Sequence, residues 1–324
     1  MGVRVTAIIL VAVVLVLVAG CQFGAAKTEA LLKQADDAFA AQKFNDAYAL
    51  YVQVLQRNPK DDKILTSLGI CSLELKDSPR GIAWIDQALA INPNNSLAWE
   101  KRGELVMGQG RLKEAIPYFD KSLALDANMN AARLNLALIY ERLGQVDQAL
   151  ALGSEAVSRE PKDAETHYKY AVTLEIAKRF DDAEAQYREA LTLKKDHVHS
   201  LIRLSALLVA RKKDLGEART MAQEANKLEP GDGDPALLAA WALFLSGDQK
   251  SGVREMEQVA RAHPSNWQAW ARLAMGLKEI GATDASKQAA KIAASIAPRP
   301  LAVLDDSGKT PAGKAPAPVL KGAR

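Results

Sequence analysis

Proline returns every 34 residues along most of this chain: Pro59, Pro93 and Pro161 share a column with Ala127 and Lys195. After a one-residue insertion near Lys212-Lys213-Asp214 the column continues through Pro230, Pro264 and Pro298. Proline stops a helix and holds the residue before it in extended geometry, so six prolines in eight slots mark equivalent chain breaks. Other columns keep the same phase. The twentieth position of each period holds Ala47, Gly81, Ala115, Ala149, Ala183, Ala218, Gly252 and Ser286, and an aromatic column holds Tyr51, Phe119 and Tyr187. A motif that recurs at so short a period does not build one central core. It builds an array in which each unit covers its neighbour's apolar face.

The stretch 96–129, SLAWEKRGELVMGQGRLKEAIPYFDKSLALDANM, shows what the unit is. Apolar or small residues recur at helical spacing in Trp99, Gly103 and Val106, and again in Ala115, Tyr118, Phe119 and Leu123, with Gly108 and Gly110 breaking the run. This reads as two short helices and a turn. Trp at the fourth position, Gly at the eighth, Ala at the twentieth and Phe at the twenty-fourth resemble the tetratricopeptide repeat. Gly103 and Ala115 would let the paired helices approach closely, while Trp99 and Phe119 fill the space beside the contact. The resemblance implies an all-α, right-handed solenoid of about eight helix-turn-helix repeats, at 28–61, 62–95, 96–129, 130–163, 164–197, 198–232, 233–266 and 267–300.

Composition agrees with an Ala- and Leu-rich helical protein, being 48% hydrophobic but only 6% aromatic. The formal net charge is +3 and the signs alternate within each repeat, with no basic stripe of the kind that tracks nucleic acid. Cys71, in LGICSLEL, reads as a small core residue.

Cys21 is different. The chain opens with Arg4, then an apolar run from Val5 to Ala19 that is short for a bilayer span and ends in small residues, as an export signal does. Val18-Ala19-Gly20-Cys21 resembles the lipobox of bacterial lipoproteins, although Val18 stands where that family more often has Leu. The resemblance implies a signal peptide at 1–20, acylation of Cys21 and a short linker over 21–27. Several acyl chains exceed what stable membrane anchoring requires. Gln22, not Asp, after the cysteine implies an outer-membrane lipoprotein facing the periplasm in a Gram-negative cell. At the other end, residues 301–324 are rich in Pro, Ala and Lys without apolar periodicity and read as a disordered tail.

No catalytic constellation stands out. The chain lacks a GxxxxGK[ST] phosphate loop, HExxH, CxxC and GxSxG. His197-Val198-His199 is the only close histidine pair and has no third ligand placed by the repeat. The expectation is therefore a non-enzyme with no cofactor, no metal and no small-molecule substrate. In the resembled family the first helices line a groove, with positions 2, 5, 6, 9, 12 and 13 projecting into it. Here those positions include Tyr168 and Lys169, then Arg203, then Leu237, Trp241 and Phe244. The last three fall at i, i+4 and i+7 and form an apolar stripe. Two readings of that stripe stay open: an exposed partner site, or a shifted register, permitted by Asp234-Pro235, that buries Trp241 and Phe244.

The resemblance implies a lipid-anchored scaffold that holds a protein or peptide partner, similar to the repeat lipoproteins that assist assembly of pili and secretion channels. The alternative is a periplasmic adaptor or regulator that docks a protease or cell-wall enzyme.

Overall fold

The computed structural model describes residues 26–231 and 233–297. Among the described residues there are sixteen helices and no strand. The first helices of the repeats are α1 (26–40), α3 (Asp62–Glu74), α5 (Ser96–Gly108), α7 (Asn130–Arg142), α9 (Ala164–Ile176), α11 (Val198–Ala210), α13 (Asp234–Leu245) and α15 (Trp267–Glu279). The second helices are α2 (Phe44–Arg57), α4 (Ser78–Ile91), α6 (Leu112–Leu125), α8 (Val146–Arg159), α10 (Phe180–Leu193), α12 (Leu215–Leu228), α14 (Gln249–Ala262) and α16 (Thr283–Ile296). The chain forms two compact units, one ending at Ser200 and the other beginning at Leu201. In the first, α3 packs on α4, α5 on α6, α7 on α8 and α9 on α10, while α5 also meets α7, and α7 meets α9. In the second, α13 packs on both α12 and α14, and α15 on α14 and α16.

The turn inside each repeat has its own periodicity. Three residues separate the paired helices, and the middle one takes the left-handed conformation at Gln42, Lys76, Gly110, Gly144, Lys178, Gly247 and Gly281. This reverses the chain within the fewest residues while satisfying the last carbonyls of the helix. The inserted residue of repeat 6 falls in this turn, which spans 211–214 and uses two left-handed residues, Lys212 and Asp214. The insertion is absorbed where no side chain has to pack.

A side chain with a Cβ loses about 1 kcal/mol or more in that conformation relative to glycine. Lys178 is exposed at φ +60°. Lys178→Gly is expected to stabilise the protein by about 0.5 kcal/mol, the strain relief exceeding the entropy that glycine adds to the unfolded chain. A lower midpoint in urea would contradict this account.

Close approach of the paired helices occurs at positions eight and twenty. Ala35, Ala47, Ala115, Ala137, Ala149, Ala171, Ala183, Ala218 and Ala240 are all at most 3% exposed. A Cβ on Gly103 would lie 2.9 Å from the Phe119 ring, so glycine at the eighth position is what admits phenylalanine at the twenty-fourth. Where repeat 4 has Gly153 at the twenty-fourth position, Tyr170 of the next repeat moves in, and a Cβ on Gly153 would lie 2.5 Å from it. Volume is conserved between neighbours, as dense packing requires. Two serines exploit the same close approach. Ser205 donates to the Ala218 carbonyl at 2.6 Å, and Ser286 to the Ala274 carbonyl at 2.8 Å.

Repeats are also stitched through the proline column. A carbonyl at a helix end needs a donor, and the residue six positions on supplies it from the next first helix. Trp99 Nε1 donates to the Pro93 carbonyl at 2.8 Å, Arg133 Nη2 to Ala127 at 2.8 Å and Trp270 Nε1 to Pro264 at 3.2 Å. His167 Nε2 lies 3.1 Å from the Pro161 carbonyl. Asp61, Asn95, Asp163 and Asn266 cap the first helices through their side chains. Asn95 and Asn266 also reach the start of the preceding first helix, to Asp62 at 2.8 Å and to Asp234 at 2.9 Å. Cys71 is fully buried, and burial pushes its thiol up to about 11.

Candidate partner-binding face

The first helices present polar and aromatic groups at the positions expected to project outward. In repeat 3 the Glu100 side chain is buried beside Lys101, with Lys101 Nζ 2.9 Å from Glu100 and 3.0 Å from Glu104. Burial holds the Glu100 carboxyl above the usual range, with Lys101 pulling the other way. Burial would lower the Lys101 ammonium, but the Glu104 and Glu100 carboxylates outweigh it and hold it high. The face then continues from repeat to repeat: Asn135 Nδ2 donates to Glu104 at 3.3 Å, and the Thr173 hydroxyl donates to Glu141.

Tyr168 and Lys169 sit on α9, in the first unit. The Tyr168 ring is half-buried, with centroids 5.3 Å from His197, 5.7 Å from His199 and 6.1 Å from Tyr187. Lys169 is exposed and pairs with Glu165 at 3.4 Å. His197 Nε2 lies 3.1 Å from the same carboxylate and its Nδ1 2.8 Å from the Ser200 hydroxyl. The hydrogen bond from His197, with the Lys169 charge, holds the Glu165 carboxyl below the ordinary range. The histidine pair thus belongs to a hydrogen-bonded aromatic cluster. Among the described residues no group of three or more His, Cys, Asp or Glu side chains could hold a metal ion.

Arg203, Leu237, Trp241 and Phe244 belong to the second unit. Arg203 is half-buried on α11. Of the two readings of the stripe, the buried one describes Leu237 and Phe244, while Trp241 is half-buried. Leu237 is 4% and Phe244 5% exposed, and both lie in a core cluster with Val253, Met256 and Leu273. The cause is in α14 and α15. A Cβ on Gly252 would lie 2.7 Å from the Phe244 Cα, so α14 approaches the backbone of α13 directly, and the Phe244 ring reaches toward Gly276 of α15. Gly233, at φ +87°, delays the start of α13 by one residue, with Pro235 in the first turn. Only Trp241 of the three reaches solvent. It stacks on Phe244, with centroids 5.1 Å apart and planes within 7°, and the Arg272 guanidinium stands 5.4 Å over its ring.

Sequence reasoning missed Arg272 and the stitching role of Arg133 and His167. The signal was present: the fourth position reads Trp99, Arg133, His167 and Trp270, four side chains able to donate from a ring or guanidinium nitrogen. Cys21 and residues 301–324 lie outside the described residues. Among the described residues no helix is long and apolar enough to cross a membrane.

Comparison with known proteins agrees with the repeat geometry. Residues 38–105 and 100–164 match tetratricopeptide-repeat models, and residues 133–297 match the middle TPR-like domain of cilia and flagella-associated protein 70. The peroxisomal targeting signal receptor of Kluyveromyces lactis is 31% identical over 100 residues, which are 31% of this chain and 18% of that receptor. The chain therefore spans less than a fifth of the length of this relative. Among solved structures, the type IV pilus biogenesis factor PilW aligns with a TM-score of 0.56 at 20% identity, covering 64% of this chain and 96% of PilW. Pseudomonas aeruginosa pilF aligns with a TM-score of 0.58 at 16% identity, covering 70% of this chain and 99% of that one. At these identities the likeness is one of fold. With helix pairs at a 34-residue period, small residues at both close approaches and family matches that run from residue 38 to residue 297, the chain belongs to the tetratricopeptide-repeat family.

Proposed function

We propose that this chain is a lipid-anchored scaffold that holds a protein or peptide partner along the first helices of its repeats, in the assembly of an envelope complex such as a pilus or a secretion system. The observation that carries the binding reading is Trp241. A half-buried aromatic on a first helix, held in place by the Phe244 stack, has the character of a binding hot spot. The anchor rests on Val18-Ala19-Gly20-Cys21, and the outer-membrane placement on Gln22. The assembly role is supported by the fold shared with PilW and pilF over nearly the whole of those chains.

Mass spectrometry of the mature N-terminus tests the anchor. The expected species begins at Cys21 with acyl chains attached, and Cys21→Ala leaves the outer-membrane fraction. An intact Met1 or an unmodified Cys21 sinks the lipoprotein reading. Crosslinking in intact cells tests the scaffold role: Trp241→Ala should cut affinity for the retrieved envelope partner by about 30-fold, the effect of a 2 kcal/mol hot spot. Loss of the Phe244 stack also costs about 0.5–1.5 kcal/mol of stability, so the comparison is made well below the melting transition. Unchanged affinity would remove Trp241 from the site.

A further inference from the structure

We infer that the partner held at repeats 7 and 8 is an acidic peptide, one in which an aspartate or glutamate stands beside a large apolar side chain. This rests on the binding reading above and names the chemistry its partner must carry. Trp241 on α13 and Arg272 on α15 occupy the ninth and sixth positions of their repeats, both among those that project from the first helices. They form one unit, the guanidinium lying 5.4 Å over the indole, while Phe244 stacks on that indole at 5.1 Å.

Arg272 is the uncommon member of this pair. Most arginines on the described surface of this protein answer a carboxylate: Arg102 meets Asp86 at 2.8 Å, and Arg219 meets Glu255 at 2.9 Å. Arg272 is half-buried, yet among the described residues no carboxylate lies within ion-pair distance of it. Burial pulls its guanidinium down, and the one opposing charge is the more distant Asp234, which already accepts from Asn266 at 2.9 Å. A cation that is partly desolvated, oriented by an aromatic face and short of an anion is preorganised for a carboxylate, because its orientation and part of its desolvation precede binding. A guanidinium also keeps several donors in a fixed fork, which suits two carboxylate oxygens at once.

The apolar half of the site lies alongside. Met275 follows Arg272 by three residues on the same face of α15 and is 56% exposed, the most exposed of the large apolar side chains among the described residues. An unbranched thioether adapts to apolar groups of varied shape. Trp241 and Met275 therefore take the apolar side chain, and Arg272 takes the carboxylate beside it. A partner of this composition complements both the charge and the apolar surface, whereas a basic or purely apolar segment leaves Arg272 desolvated without an anion.

The test is selection of a random heptapeptide display library on the immobilised full chain. The recovered peptides should be enriched in Asp or Glu next to a large apolar residue. A synthetic representative should bind the wild type at least about tenfold more tightly than its Asn or Gln counterpart, as loss of a charged hydrogen bond requires. On Arg272→Gln, with thermal melting compared in parallel, that preference should disappear. Binders without acidic enrichment, or an acidic preference that survives Arg272→Gln, would overturn the assignment while leaving the binding reading intact. The wild-type comparison of acidic and neutral peptides stands even if Arg272→Gln does not fold. Failure to recover any binder would overturn the binding reading itself. The chain's own residues 301–306, LAVLDD, have the same chemistry. Binders recovered only after Asp305→Asn and Asp306→Asn would assign the site to that segment and overturn the external partner.

Discussion

Phe119→Ala will destabilise the protein by about 3–5 kcal/mol, the range for truncating a fully buried aromatic. Phe119 is completely buried and packs in one cluster with Val106 and Ala115 of its own repeat and Ala132, Leu136 and Ile139 of the next. Its loss therefore opens a void across a repeat boundary, where each helix depends on its neighbour for cover. Its other wall is the bare backbone of Gly103, where a Cβ would meet the ring at 2.9 Å. That contact makes a second, opposite result available. Gly103→Val alone should cost about 1–3 kcal/mol by overpacking, yet in the Phe119→Ala background the same substitution should recover stability by filling part of the void. Urea denaturation of the two single variants and the double variant measures the coupling. Additive losses would mean that the two positions do not share the space assigned to them.

Removing residues 130–163 should leave a folded, shorter protein, whereas removing 130–146 should collapse the cooperative unfolding of the first unit. The full-period deletion joins Met129 to Ala164, so α9 takes the place of α7 against α6. His167 then lies six residues after Ala127, the spacing at which Arg133 now meets that carbonyl at 2.8 Å. Small residues remain at both close approaches, since Ala171 and Ala183 replace Ala137 and Ala149. The partial deletion removes α7 and leaves α8 without its paired helix, against which the fully buried Ala149 makes the close approach of position twenty. Circular dichroism melts separate the two cases. The full-period variant should lose helix in proportion to the two helices removed and keep a sharp transition. Equal loss of helix in both variants would contradict the 34-residue register.

How much of this was legible without coordinates depends on the range over which each feature is decided. The helix pairs, the column of small residues and the turn that absorbs the insertion follow from local rules. A proline that follows a helix end keeps that helix from continuing, and a position that is always Ala, Gly or Ser marks a close approach whatever its neighbours are. The period could therefore be counted by hand from Pro59 to Pro298. The candidate face was only partly legible. Tyr168 and Lys169 stand on a first helix, and Glu165 is readable as the i,i+4 partner of Lys169, but His197, which shares that carboxylate from 32 positions further on, is brought there only by tertiary packing.

By itself the sequence determined the fold class, the repeat length and the turn that carries the extra residue, because each is encoded within one or two turns of helix. The tertiary structure alone decided the face that α13 buries. That helix, DPALLAAWALFL, is apolar all round, and periodicity cannot choose a buried face when every face would accept burial. The choice was made by what lies opposite. Gly252 lets α14 reach the backbone of Phe244, Gly276 leaves room for its ring, and Trp241 is left at the surface beneath Arg272, a residue 31 positions further along the chain.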